Sequence, residues 1–266
     1  MGVTRVDASW GIPIEINTDK SVEIFVDRFS REPIQENTIR IVVMEEPISV
    51  ITSLVVNYPH CYDYVLTYQK NILENNPKAR FFRGIQAWVN ADIEQQKKFC
   101  VSTVVGWKRD ERLSGYSVRH ELWDRQKEIK IPKNFYLSKN YYPPGVNRNS
   151  VLSLGDNKAV MFDCMYHVAI ENMTISNYFS EKIIDCFLTA TIPVYRGALN
   201  IENYFNIGGI YVVDSVNDII SVCNKLTKED YNSKINEIMD NYNRALCYRN
   251  YSTQLRDTIV NILNNG

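Results

Sequence analysis

Between Tyr166 and Asp214 the spacing of apolar positions changes twice, and the changes mark out a strand, a polar loop, a helix and two more strands. Tyr166 to Ile170 is an apolar, β-prone run that stops at Glu171 and Asn172. From Tyr178 the period becomes helical, with Ile183, Ile184, Phe187 and Leu188 on one face. Ser180 or Asn177 suits the N-cap, which puts Glu181 and Lys182 in the first turn. Pro193 and Gly197 bracket a short strand, Ile192 to Tyr195, and a third strand runs from Ile210 to Val213. Parallel α/β sheets bind ligands beyond the carboxyl ends of their strands, and a helix N-terminus beside a lysine suits an anion such as a phosphate. The competing reading is a plain buried βαβ unit with a solvated loop.

The remainder of the chain alternates in the same way. Met1 to Glu36 is the least legible part, and Val22 to Phe29 fits a strand or a short helix. Ile39 to Met44 is a β-branched strand ending at Glu45, Glu46 and Pro47, acids that most simply face solvent. Tyr62 to Tyr68 is a further strand, and Ala79 to Val89 closes a first domain. The charged stretch Asp92 to Lys98 marks the boundary, giving domains of residues 1–96 and 97–266. Phe99 to Val105 opens the second as a buried strand, and a helix runs from about Ser117 to Ile129 with Arg119 near its start. Pro132 to Asp156, rich in Pro, Asn, Ser and Tyr, reads as an ordered excursion over the cleft rather than a linker, since its aromatics need somewhere to pack. Helices follow over Asp218 to Lys225, Glu229 to Leu246 and Ser252 to Leu263.

Composition narrows the function classes. At 266 residues two α/β domains are the expectation, and 45% hydrophobic with 23% charged residues is ordinary for a globular protein. A formal net charge of −1 argues against a nucleic-acid partner. Six cysteines lie scattered among apolar neighbours, which reads as buried free thiols and a reducing compartment. No apolar run is long enough to span a membrane, and the N-terminus lacks a signal-peptide core, so the expected location is cytoplasmic, as for a soluble microbial or viral protein. His60, His120 and His167 are dispersed, and no Asp-x-Asp pair occurs, so no metal site is expected. Without a Walker loop or GxGxxG, kinases and nicotinamide enzymes fall away.

The residues Glu171, Asn172, Tyr178, Glu181, Lys182, Pro193, Val194, Gly197 and Asn200 stand at the offsets of a known pattern. The stretch resembles the donor-binding signature of the α1,3/α1,4-fucosyltransferases. The resemblance is clear over the second domain and weak over the first, where Met44-Glu45-Glu46-Pro47 resembles the Glu-Ser-Pro that carries the proposed base, with Glu for Ser. After Tyr62 to Tyr68 the family's Arg-Arg is replaced by Gln69-Lys70-Asn71.

The resemblance implies an inverting transferase of the GT-B type, two Rossmann-like domains facing across a cleft, the N-terminal one abbreviated and the C-terminal helix packed back on it. The implied donor is GDP-fucose, the acceptor a glycan or glycoprotein hydroxyl, and no cofactor is required. Arg119 matches the arginine that contacts the diphosphate, with Arg109 and Arg112 as second choices, and Tyr178 and Lys182 join it there. Asn172 and Glu181 are implied for the sugar or ribose, and Glu45 for the general base, or Glu46 if the turn differs by one residue. Two alternatives stand beside this: the same scaffold using xylose or rhamnose from UDP or GDP, and a catalytically inactive sugar-nucleotide or glycan-binding module.

Overall fold

The computed structural model describes residues 2–47, 50–89, 97–139, 141–147 and 151–265, and the chain divides into two compact units. The first unit comprises Met1–Gln86, Ser176–Tyr178 and Tyr248–Gly266; the second comprises Ala87–Ile175 and Phe179–Cys247. Residues 92–96, most of the charged stretch expected to separate two domains, lie outside the described residues.

In the first unit β1 (Thr4–Asp7), β2 (Ser21–Val26), β3 (Thr38–Met44), β4 (Tyr64–Thr67) and β5 (Ala79–Phe81) form a parallel sheet in chain order. Strand alternation sets its two faces. Ile41 and Val43 of β3 join Val22, Ile24, Val26 and Leu66 on one side, whereas Val42 and Met44 join Val65 on the other. The second face is covered by α1 (Val50–Asn57) through Ile51 and Val55, and by Ile72 of α2 (Lys70–Asn75). The first is covered by the C-terminal helix α8 (Tyr251–Asn265), whose Tyr251, Leu255, Ile259 and Ile262 recur at helical spacing and sit in the same core. The stretch that fitted either strand or helix is therefore β2, with the burial alternating residue by residue.

The second unit has a six-stranded parallel sheet. Its strands are β6 (Lys98–Val105), β7 (Lys133–Leu137), β8 (Leu152–Ser153), β9 (Cys164–Ile170), β10 (Ile192–Arg196) and β11 (Tyr211–Val212), in the order β11-β10-β9-β6-β7-β8. From the β6–β9 pair the chain winds outward in both directions, so that pair is the topological switch point where ligands of open α/β sheets bind. Helices α3 (Ser114–Asp124), α4 (Glu181–Leu188), α5 (Val216–Cys223), α6 (Lys228–Ser233) and α7 (Ile235–Ala245) belong to this unit.

The structure corrects three expectations. Pro132 to Asp156 is no plain excursion, because it contributes β7 and β8, with Phe135 and Leu137 buried in the core. The helix expected over Glu229 to Leu246 is two helices. Ser233 donates its hydroxyl to the Asp230 carbonyl at 2.7 Å in the last turn of α6, a local bond that competes with helix continuation. The cysteines are not all free, since Cys100 and Cys164 form a disulfide. The β6–β9 ladder shifts register between Lys98 and Val101, and the two Cα atoms lie 5.0 Å apart, a proximity of strands that no sequence spacing reveals. Cys61, Cys186 and Cys223 are buried free thiols, and Cys247 is exposed.

Candidate functional site

Glu45 stands directly after β3, where the parallel sheet delivers it to the carboxyl end of the strands. Its carboxylate is buried and pairs with Arg83, itself 6% exposed. The other oxygen, Oε1, is buried without a hydrogen-bond partner, as is the Tyr251 hydroxyl. Burial pushes the Glu45 carboxyl up to about 8; the Arg83 charge and the Tyr251 hydroxyl pull it back, while the charges of Asp27 and Glu46 add to the rise. Arg83 lies over two rings, 4.9 Å from the centroid of Tyr68 and 5.2 Å from that of Tyr178. Glu46 is exposed, with its backbone N–H bonded to Asp27 Oδ1 at 3.2 Å. Of the two neighbouring acids, Glu45 is the buried one.

Tyr178, a residue of the donor-like signature, is buried and belongs with the first unit, where its ring packs at 5.5 Å against Tyr68. Asn177 beside it takes a left-handed φ of 65° and donates to the Tyr68 carbonyl at 3.1 Å.

In the second unit a cavity of about 210 Å³ opens at the switch point. Thr103 and Val104 of β6 and His167 to Ile170 of β9 line it, together with Arg119, Lys158 and Lys182. Arg119 is fixed by the Ile170 carbonyl at 3.1 Å and by Asn172 Oδ1 at 2.8 Å. Gly115 makes this approach of α3 possible: a Cβ there would lie 1.8 Å from the Glu171 carbonyl oxygen. Asn172 thus serves as an acceptor that orients a guanidinium.

Helix α4 starts as the pattern indicates. Ser180 is its N-cap, accepting from the Lys182 N–H at 3.4 Å. The anion found at this helix start is the protein's own Glu171, fully buried, which accepts from the Ser180 N–H at 2.8 Å and hydroxyl at 2.6 Å. Lys182 reaches Glu181 at 3.1 Å and Glu171 at 3.6 Å. Burial alone would lower the Lys182 ammonium, but the two carboxylates outweigh it and the group stays above its ordinary range. For Glu181 burial works upward, and the Lys182 charge and hydrogen bonds win, so it stays ionised. Lys158 lies 2.8 Å from the centroid of the exposed Trp88 ring, and partial burial holds it below the ordinary lysine value.

His167 lines the same cavity in a single tautomer. Ser102 Oγ lies 2.5 Å from the Met161 carbonyl, which can only accept, so the hydroxyl proton is spent there. The contact of 2.8 Å between Ser102 Oγ and His167 Nδ1 then needs the proton on Nδ1. Burial keeps the ring neutral, pushing its ionisation down to about 3. The ring is a buried, hydrogen-bonded imidazole.

The structure brings Arg119, Asn172, Glu181 and Lys182 into one neighbourhood of the second unit and puts Glu45, Glu46 and Tyr178 in the first. Sequence reasoning missed Arg83 and Asp27. Asp27 had a signal: it is an acid directly after a strand, the same cue that singled out Glu45. Arg83 had none, being an isolated arginine in an irregular segment. Among the described residues no group of three or more His, Cys, Asp or Glu side chains could hold a metal ion, and no helix is long and apolar enough to cross a membrane.

No protein-family model matches this chain, and no curated protein matches it by sequence. Solved structures do. An α1,3-fucosyltransferase crystallised with GDP-fucose matches with a TM-score of 0.54 and 14% identity over 82% of this chain and 69% of that one. The Anabaena protein HepE, in complex with UDP-glucose, gives 0.58 and 12% over 86% and 73%. TarM gives 0.59 and 11% over 94% of this chain and 56% of its own. The fold is GT-B. Two Rossmann-like α/β units are what this chain shares with these glycosyltransferases, at identities that establish architecture.

Proposed function

We propose that the chain is a glycosyltransferase that moves a sugar from a nucleotide diphosphate to a hydroxyl of a glycan, with residues 1–96 as the acceptor side and residues 97–266, whose C-terminal helix packs back on the first, as the donor side. The observation that carries the reading is the cavity at the switch point of the second sheet, where the cationic side chains of Arg119, Lys158 and Lys182 converge. A nucleotide diphosphate is the ligand class whose charge and size suit such a pocket. Arg119 and Lys182 are assigned to the diphosphate, and Asn172 and Glu181 to the sugar or ribose; Tyr178, buried against Tyr68 in the first unit, is not assigned to the diphosphate. An arriving phosphate would compete with Glu181 for Lys182, exchanging one charged partner for another.

In the proposed reaction the acceptor hydroxyl attacks the anomeric carbon with inversion while Glu45 takes its proton. The bond from that carbon to the diphosphate oxygen breaks, and its electron pair leaves on the diphosphate. The fixed charges of Arg119 and Lys182 stabilise that departure. The position of Glu45 supports the assignment: its buried carboxyl stands directly after β3, with Arg83 on one oxygen, and its raised ionisation suits a base that works in mildly alkaline solution.

Fucose from GDP-fucose is the donor implied by the signature, and an α1,3-fucosyltransferase with GDP-fucose is among the similar folds. A UDP-sugar is the second reading, favoured by the likeness to HepE with UDP-glucose. A thermal-shift panel of GDP, UDP, CDP, ADP and their common sugars tests both. A ligand at a hundred times its Kd adds about 2.7 kcal/mol to stability. GDP is expected to lead and to keep its shift in EDTA. A lead by UDP overturns the fucose assignment, and no shift with any nucleotide overturns the donor site.

A further inference from the structure

We propose that Asp27 is a positioning residue for Glu45, its carboxylate clamping the turn from which Glu45 projects; the proposal deepens the reading of Glu45 as the base and rests on it. The β2–β3 ladder ends with Val26 opposite Val43. Asp27 follows with a φ of 49°, a left-handed conformation that asparagine and aspartate tolerate better than other non-glycine residues. Its N–H still bonds to the Val43 carbonyl at 2.9 Å, and its side chain then replaces the missing ladder: Oδ1 accepts from the Glu45 N–H at 2.9 Å and from the Glu46 N–H at 3.2 Å. One half-buried carboxylate oxygen therefore fixes two consecutive backbone amides at the end of β3. A simple loop would leave those amides to solvent, and the direction of the Glu45 side chain would follow the loop.

Asp27 also faces Glu45 electrostatically. The groups around the Glu45 carboxyl are Arg83 after β5, Tyr251 at the start of α8, Asp27 after β2, and its neighbour Glu46; Tyr68 after β4 feels its charge. Asp27 raises the Glu45 carboxyl, opposing Arg83. Burial in turn raises Asp27 against its two amide bonds and Arg83. An amide in place of the Asp27 carboxylate keeps an acceptor oxygen and the left-handed backbone and removes the charge, which separates position from electrostatics.

The experiment uses the intact chain in three forms, wild type, Asp27→Asn and Asp27→Ala, with Glu45→Gln as the control. Amide exchange at Glu45 and Glu46, and ¹³C titration of the Glu45 carboxyl, need no ligand. Asp27→Ala is expected to speed exchange of both amides at least about tenfold, the factor that about 1.4 kcal/mol of lost protection produces. Asp27→Asn is expected to keep them protected and to move the Glu45 midpoint to lower pH. With GDP-fucose and water as acceptor, Asp27→Ala should cut kcat by about ten- to a hundredfold, the scale of a misplaced catalytic group, with the GDP Kd little changed. Asp27→Asn should recover most of that loss. Unchanged amide exchange in Asp27→Ala overturns the proposal. If Asp27→Ala does not fold, Asp27→Ser, whose shorter side chain does not reach both amides, takes its place in the same exchange measurement. Wild-type turnover that survives Glu45→Gln overturns the base and leaves the exchange and titration results to judge Asp27 separately.

Discussion

Arg83 and Glu45, 38 residues apart in sequence, form a buried ion pair whose guanidinium also stacks on Tyr68 and Tyr178. Burial outweighs the pairing and holds the Glu45 carboxyl above its ordinary range, so removing Arg83 drives Glu45 further toward its protonated form and costs the hydrogen bond and the ring contacts of the guanidinium. Arg83→Ala is expected to destabilise the protein by about 1–3 kcal/mol, read by chemical denaturation. Arg83→Lys should recover part of this, because it keeps the charge and loses the planar group that lies over the rings. A loss under about 1 kcal/mol in Arg83→Ala would show that the pair contributes no more than a surface bridge.

Gly115 lets the first turn of α3 rest on the end of β9, its N–H bonded to the Asn172 carbonyl at 3.0 Å. An added methyl would strike the Glu171 backbone, which has no flexible end to yield. Gly115→Ala should cost about 1–3 kcal/mol as an overpacked contact, although alanine is the better helix former. Arg119 is four residues on, so the GDP Kd should rise as well, a change that calorimetry reads directly. Unaltered stability would mean that α3 can shift without penalty.

Much of the second unit was legible because local signals agreed there. The apolar run before Glu171, the Ser180 cap and the 3.6-residue period of α4 each reflect short-range physics, and all three reappear in the structure. β7 and β8 escaped because their polar, proline-flanked residues carry no alternation strong enough to outweigh turn-forming neighbours. The Cys100–Cys164 bond and the Arg83–Glu45 pair join residues far apart in sequence, a relation set by sheet order. The role of Glu171 was legible only in part: its place at a strand end could be read, but its use as a brace for Ser180 depends on where α4 begins in space.

Two buried carboxyls give stability a definite pH dependence. Glu45 moves from an ordinary value of 4.5 to about 8 on folding, chiefly by burial, and Asp185 from 3.8 to about 7 for the same reason, against its bonds to the Trp88 and Val89 amides. Each folded carboxyl holds a proton that the unfolded chain has released, so the contribution is fully present below the unfolded values and is lost as pH rises through about 7 and 8. The melting temperature should fall progressively from about pH 4 to about pH 8 and level off above that. Glu45→Gln combined with Asp185→Asn should flatten that slope. A slope identical in the double variant would assign it to other groups.

Lys182→Ala and Arg119→Ala test the phosphate assignment. Both side chains line the cavity, and neither is assigned to the base or the nucleoside. Each variant should weaken GDP binding by at least about tenfold, the scale of a lost charge-assisted hydrogen bond, and leave guanosine binding nearly intact. Lys182→Ala also frees Glu171 and Glu181 from their shared cation, so its loss should exceed that of Arg119→Ala. Equal losses for nucleotide and nucleoside, measured by calorimetry, would move the diphosphate elsewhere.

Glu45 can accept a proton only when ionised, and burial against its paired Arg83 pushes its carboxyl up to about 8. Turnover of the donor should therefore rise with pH through about 8 and level off above it, in the same range where the folded state loses stability. Glu45→Gln should lower kcat by roughly a hundredfold or more and abolish that rise, with donor affinity unchanged. Glu46→Gln, at an exposed position, removes a like charge near Glu45 and should shift the rise slightly toward lower pH without lowering the plateau. A pH profile of kcat for the three forms decides between the neighbours. If Glu46→Gln abolishes the rise and Glu45→Gln keeps it, the exposed acid is the base, and the buried pair with Arg83 serves only the fold.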